Sequence, residues 1–166
     1  MEGRILVAYV SRTGTTHDIA EAIGRGLRSS GASVDIANLK DVAVVEGYTA
    51  VVVGSPIYMG RIEGDVGTFV ARHRDALSKR PVAAFAVGLP SDQEGSTRED
   101  GAEKIRAAIA PLQPVAVTMF AGRLDTARLS FIQRTMIGFV KAPTGDFRDW
   151  DEIAAWARSL VPLFSA

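Results

Sequence analysis

Short runs of aliphatic and β-branched residues recur along the chain, each followed by a longer stretch whose apolar positions repeat at helical spacing. The runs predict strands at Ile5 to Val10, Ser33 to Ala37, Ala50 to Gly54, Val82 to Val87 and Val115 to Ala121. Three of them, ILVAYV, AVVVG and VAAFAV, are apolar on both faces, as parallel strands covered by helices above and below must be. Helices are predicted at Thr15 to Ser30, Val66 to Leu77, Thr97 to Ala110 and Trp150 to about Leu163, the last opened by Asp149 as N-cap with Glu152 three residues on. Strands joined by helical crossovers make an α/β fold with a doubly wound sheet, whose ligands sit beyond the carboxyl ends of the strands. No repeat, low-complexity tract or linker divides residues 1–166, so a single domain is expected.

One stretch does not fit simple alternation. TARLSFIQRTMIGFVKAPTGDFRD, between the fifth strand and the last helix, is long for a connection. At ~100° per residue, Leu129, Ile132, Met136, Phe139 and Val140 fall on one face, with Gln133, Arg134 and Lys141 roughly opposite. An extra amphipathic helix near 126–141 is therefore predicted. It serves either as a docking surface for a membrane, quinone or apolar substrate, or as an ordinary helix packed on the sheet.

Composition narrows the chemistry. With no cysteine, the chain has no disulfide, thiolate metal site or cysteine nucleophile. Its 19 basic and 19 acidic residues give zero net charge, so no broad basic field exists to attract nucleic acid. No window approaches the roughly 18 apolar residues of a membrane span, and the N-terminus lacks the pattern of a secretion signal. A cytoplasmic protein is expected, with attachment at the inner membrane surface if residues 126–141 dock there. Oligomeric state is not readable.

The turn after the first strand, Ser11-Arg12-Thr13-Gly14-Thr15-Thr16, has the chemistry of an anion site. Four hydroxyls can donate to phosphate oxygens, Gly14 frees the backbone to turn its N–H groups inward, and the helix behind presents its positive end. The dipole contributes about 0.3 to 1 kcal/mol when exposed, so hydrogen bonds must carry most of the affinity. A plain N-cap needs one hydroxyl, not four. Other phosphate loops are absent: there is no GxxxxGK[ST], and the nearest approach to GxGxxG, GRGLRS, ends in Ser29. Ser11 and Ser55 stand where a receiver domain needs carboxylates, and a low-molecular-weight phosphatase loop needs a cysteine.

SRTGTT resembles the [ST]-x-T-G-x-T phosphate loop of flavodoxins, and GSPIYMGRIEG, residues 54 to 64, resembles their flavin-facing loop after the third strand. The resemblance covers the whole chain and implies a flavodoxin-like three-layer sandwich with a five-stranded parallel sheet in the order 2-1-3-4-5. VVVGSPIYMGR, AGRLD and GDFRDWDEI are most similar to the quinone-dependent, flavodoxin-type protoporphyrinogen oxidases. FMN is the cofactor this implies. The residues in contact with it would be Ser11, Arg12, Thr13, Gly14, Thr15 and Thr16, then Ser55, Pro56, Ile57, Tyr58, Met59 and Gly60, and finally Gly88, Leu89 and Pro90. Implied partners are a flat reduced substrate or a quinone. A one-electron carrier and a binding module without redox activity are the alternatives; carriers of the family are usually strongly acidic, and this chain is neutral.

Tyr58 is the sole aromatic in the two ring loops and the candidate stacking partner, because GLPSDQEGSTR offers none. One face of the flavin is thus expected to lie open. Gly60 would allow a peptide flip toward flavin N5. No side chain reads as an acid–base catalyst and no metal site is readable. His17 and His73 are expected on the solvated surface, Trp150 and Trp156 in the core stripe of the last helix, and REDGAEKIR as a solvated helix start.

Overall fold

The computed structural model describes residues 3–89, 95–124 and 145–165. Strand β1 (Arg4–Tyr9) leads into α1 (Thr15–Ser29), followed by β2 (Ser33–Asn38), β3 (Ala50–Tyr58) and the short β4 (Arg61–Ile62). Next come α2 (Gly64–Arg72), α3 (Arg74–Ser78), β5 (Val82–Gly88), α4 (Arg98–Ala108) and β6 (Ala116–Ala121). The two-residue strands β7 (Arg123–Leu124) and β8 (Gly145–Asp146) precede α5 (Trp150–Ser165). The main sheet runs β2-β1-β3-β5-β6 with every neighbour parallel, the expected order, and β4 adds an antiparallel arm to β3.

Alternation along β1 divides the core. Ile5 and Val7 join Ile19, Ile23 and Leu27 of α1 and Ile153, Ala157 and Leu160 of α5 on one face. Leu6 and Ala8 face Val66 and Phe69 of α2 and Ile105 of α4 on the other. Both faces of the central strands are therefore removed from water, at roughly 25 cal/mol per Å² of apolar surface. The crossing of α1 over α5 depends on Gly26, where a Cβ would lie 2.8 Å from that of Ala157.

Several sequence expectations need correction. β3 continues past Gly54 to Tyr58 because its last residues pair with β4 across a two-residue hairpin. The helix predicted from Val66 to Leu77 is two helices, broken where His73 takes φ −111° and ψ 20°. His73 is not solvated: it is 7% exposed, its ring lies 4.9 Å from that of Phe69, and its Nε2 has no hydrogen-bond partner among the described residues. Trp150 is 42% exposed, since the buried stripe of α5 is Ile153, Ala157, Leu160 and Phe164. Trp156 does pack inward, edge-on to Phe120 at 5.5 Å. The Glu152 amide donates to Asp149 at 3.0 Å, as the cap predicts, while the Glu152 carboxylate pairs with Arg98 instead of closing a capping box. The helix predicted near 126–141 lies outside the described residues, as does Pro90. Among the described residues no helix is long and apolar enough to cross a membrane.

Candidate functional site

The carboxyl ends of β1, β3, β5 and β6 gather four segments. Backbone bonds tie them: the Val10 amide donates to Gly54 at 3.1 Å and the Gly122 amide to Gly88 at 2.8 Å. In the first segment Gly14 sits at φ 92°, a left-handed conformation that costs an L-residue roughly 1–2 kcal/mol. Its amide donates to Ser11 Oγ at 2.9 Å, so Ser11 shapes the turn from within while its hydroxyl proton stays available as a donor. Gly14 is the N-cap of α1 and, having no side chain, makes no side-chain cap bond. The first N–H groups of a helix have no intrahelical partner, so a helix end of this kind can receive an acceptor such as a phosphate oxygen.

Around it stand the hydroxyls. Thr13 Oγ1 and Thr15 Oγ1 are 3.5 Å apart, and Thr15 Oγ1 also reaches the Arg123 carbonyl at 3.4 Å. Thr15 and Thr16 are both buried, Thr16 almost completely. The close fit continues at Gly122, where a Cβ would come within 2.9 Å of Val87 and 3.4 Å of the Thr15 methyl.

The second segment is the β3–β4 hairpin. Ser55 is fully buried and works inside it, donating to the Pro56 carbonyl at 2.8 Å and accepting from the Glu63 amide at 3.2 Å. Met59 (φ 53°) and Gly60 (φ 76°) form the turn between Tyr58 and Arg61, two positive φ angles in succession as a tight hairpin of type I′ requires. A methionine held there is strained, and its side chain is 62% exposed at the tip. Arg12 crosses from the first segment to this one. Its guanidinium forms a two-pronged pair with Glu63, the Nη2–Oε2 contact being 3.3 Å, and lies 3.8 Å from the centre of the Tyr58 ring. The Glu63 bond raises the Arg12 pKa above its ordinary value.

The third segment is described through Gly88 and Leu89, both partly buried beside the Gly122 bond. Lys104 of α4 donates to the Gly95 carbonyl at 3.1 Å, and its Nζ is 4.0 Å from where a Cβ at Gly60 would stand. The fourth segment went unread in the sequence as part of the site. The Phe147 amide donates to the Gly122 carbonyl at 3.1 Å, and Arg148, whose side chain is only 8% exposed, pairs with Asp146 at 2.7 Å and with Asp18 in the first turn of α1 at 3.2 Å. Arg148 holds the Asp146 carboxyl down to about 2. These contacts bring the exposed aromatics Phe147 and Trp150 to the rim around α1, with Arg148 stacked 4.6 Å over Trp150. GDFRDW carried that signal, but pairing over a span of 130 residues has no sequence period.

The residues present suit a phosphate monoester attached to a flat ring: an uncapped helix end ringed by hydroxyls on one side, and a Tyr-bearing hairpin latched to it by Arg12 on the other. Residues 6–151 match the family model described as Flavodoxin domain. Over 173 aligned residues, 96% of each chain, the sequence is 25% identical to a protein of Escherichia coli named protoporphyrinogen IX dehydrogenase [quinone]. Among solved structures, a flavodoxin from the domain Archaea superposes with a TM-score of 0.62 at 20% identity, covering 98% of this chain and 99% of that one. A Fusobacterium nucleatum flavodoxin bound to flavin mononucleotide gives 0.60 at 14% identity, again with 98% and 99% covered.

Proposed function

The chain belongs to the flavodoxin domain family, and on that premise we propose that it is an FMN-dependent oxidoreductase that oxidises a reduced substrate of the protoporphyrinogen type and passes the electrons to a quinone. The observation that carries the cofactor is the α1 N-terminus, left without a side-chain cap at a left-handed Gly14 among Ser11, Thr13, Thr15 and Thr16. Those residues would hold the phosphate. Tyr58, the Met59–Gly60 turn, Gly88 and Leu89 would border the ring, together with Pro90 from outside the described residues.

Bound FMN supplies two-electron redox chemistry that no side chain here can perform. The protein's part is to bind and orient: hydroxyls and backbone N–H groups fix the phosphate end, and the hairpin presents one aromatic. With no second aromatic in the described part of the other ring loop, the arrangement leaves room for a flat partner. Protoporphyrinogen and quinone are supported by the E. coli relative's name and its near-complete coverage. Zero net charge favours an enzyme over an acidic carrier.

The test is turnover with FMN-loaded protein, protoporphyrinogen and a short-chain quinone, following porphyrin fluorescence. Quinone-dependent appearance of porphyrin is expected. FMN bound without any turnover, but with one-electron exchange to a redox protein, would replace this reading with that of a carrier.

A further inference from the structure

Arg12 occupies the second position of the hydroxyl-rich loop, where a cation would ordinarily be assigned to the phosphate. Its geometry is different. The guanidinium is already engaged by both oxygens of Glu63, the N-cap residue of α2, and its central carbon lies over the Tyr58 ring, 3.8 Å from the ring centre. Glu63 is fixed in turn, its amide donating to the fully buried Ser55 hydroxyl at 3.2 Å. A guanidinium paired this way brings a carboxylate with it, so the pair offers a phosphate little net charge. What the pair does is span two loops that are 51 residues apart in sequence.

We infer that Arg12 is a ring-side positioning residue: from within the phosphate loop it latches the Tyr58 hairpin, so the loop that binds one end of FMN also sets the aromatic that meets the other. Because the guanidinium takes one face of Tyr58, the opposite face is the one presented to a ring. Lysine would keep the charge opposite Glu63 but lose the planar stack and the second prong. The role rests on the FMN reading above, and its signature is separable from it: the two flavins that differ only by the phosphate should respond alike.

Flavin-free wild-type, Arg12→Met, Arg12→Lys and Glu63→Gln proteins are titrated with FMN and with riboflavin, and amide hydrogen exchange across residues 57–63 is followed before any flavin is added. Arg12→Met is expected to weaken both flavins by the same factor, about tenfold, from the summed stack and ion pair. The ratio of the two affinities stays at the wild-type value, and exchange at 57–63 quickens. Arg12→Lys should recover part of the loss. Glu63→Gln added to Arg12→Met should cost less than its own single effect, because the two act as one unit. A selective loss of FMN in Arg12→Met would overturn the inference by making Arg12 a phosphate ligand, with the FMN reading left standing. Unchanged affinities and exchange would overturn it too. Wild-type protein that binds neither flavin would overturn both this role and the reading beneath it.

Discussion

Two helices begin at the carboxyl edge of the same sheet and finish their N-termini in opposite ways. At α4, Thr97 accepts from the Asp100 amide at 3.1 Å while Asp100 accepts from the Thr97 amide at 3.0 Å, a closed capping box that leaves those donors nothing further to bind. These bonds also draw the Asp100 pKa down. At α1 the cap is Gly14, which has no side chain to accept from the first turn, although hydroxyls surround it. Ser11 and Thr15 turn to the loop amide and the Arg123 carbonyl instead. One helix start is closed by its own N-cap side chain, and the other begins at a residue that has none. On the proposed reading, that difference is what leaves the α1 end able to take a phosphate while the α4 end serves the helix alone.

The sharpest way to break the contrast is at the hydroxyls. Replacing Thr13 and Thr15 together with Ala should remove two hydrogen bonds to a charged oxygen, about 1.5 to 3 kcal/mol each, from FMN affinity, with riboflavin much less affected. Flavin fluorescence titration of the double variant measures this. At α4 the same chemistry should act on stability alone: Thr97→Ala should cost about 1 kcal/mol in chemical unfolding and leave the FMN-to-riboflavin ratio unchanged. A phosphate-selective effect at Thr97 would erase the distinction.

The smallest effect expected is acid-dependent. Asp146, through Arg148, ties the segment before α5 to Asp18 in the first turn of α1. Its carboxyl is lowered to about 2, so the stability it contributes is fully present above the ordinary carboxylate range near ~3.9 and is lost as pH falls through that lowered value. Unfolding free energy should therefore decline between about pH 4 and pH 2, and Asp146→Asn should flatten part of that decline. A slope identical to wild type would mean that the pair contributes nothing measurable there, as exposed ion pairs often do.

The turn that opens α1 was legible because its information is local: six consecutive residues carry the hydroxyls and the glycine, and the strand and helix around them announce themselves by period. The parallel sheet was legible for the same reason, through strands apolar on both faces. What escaped depends on meetings across the chain. The extension of β3 to Tyr58 requires β4 as a partner, and the burial of His73 requires the kink that sets it on Phe69. Trp150 follows the apolar composition of α5 but lies at its first residue, before the buried stripe begins. The Arg12 contacts with Glu63 and Tyr58 were not legible either, because those partners are about 50 residues away and belong to a different element.

The central claim is that the open end of α1 is a phosphate site, and titration of the flavin-free wild-type protein with FMN and riboflavin under identical conditions addresses it most directly. Two or more charge-assisted hydrogen bonds predict FMN binding at least about a hundredfold tighter than riboflavin. Equal affinity for the two flavins would contradict the account.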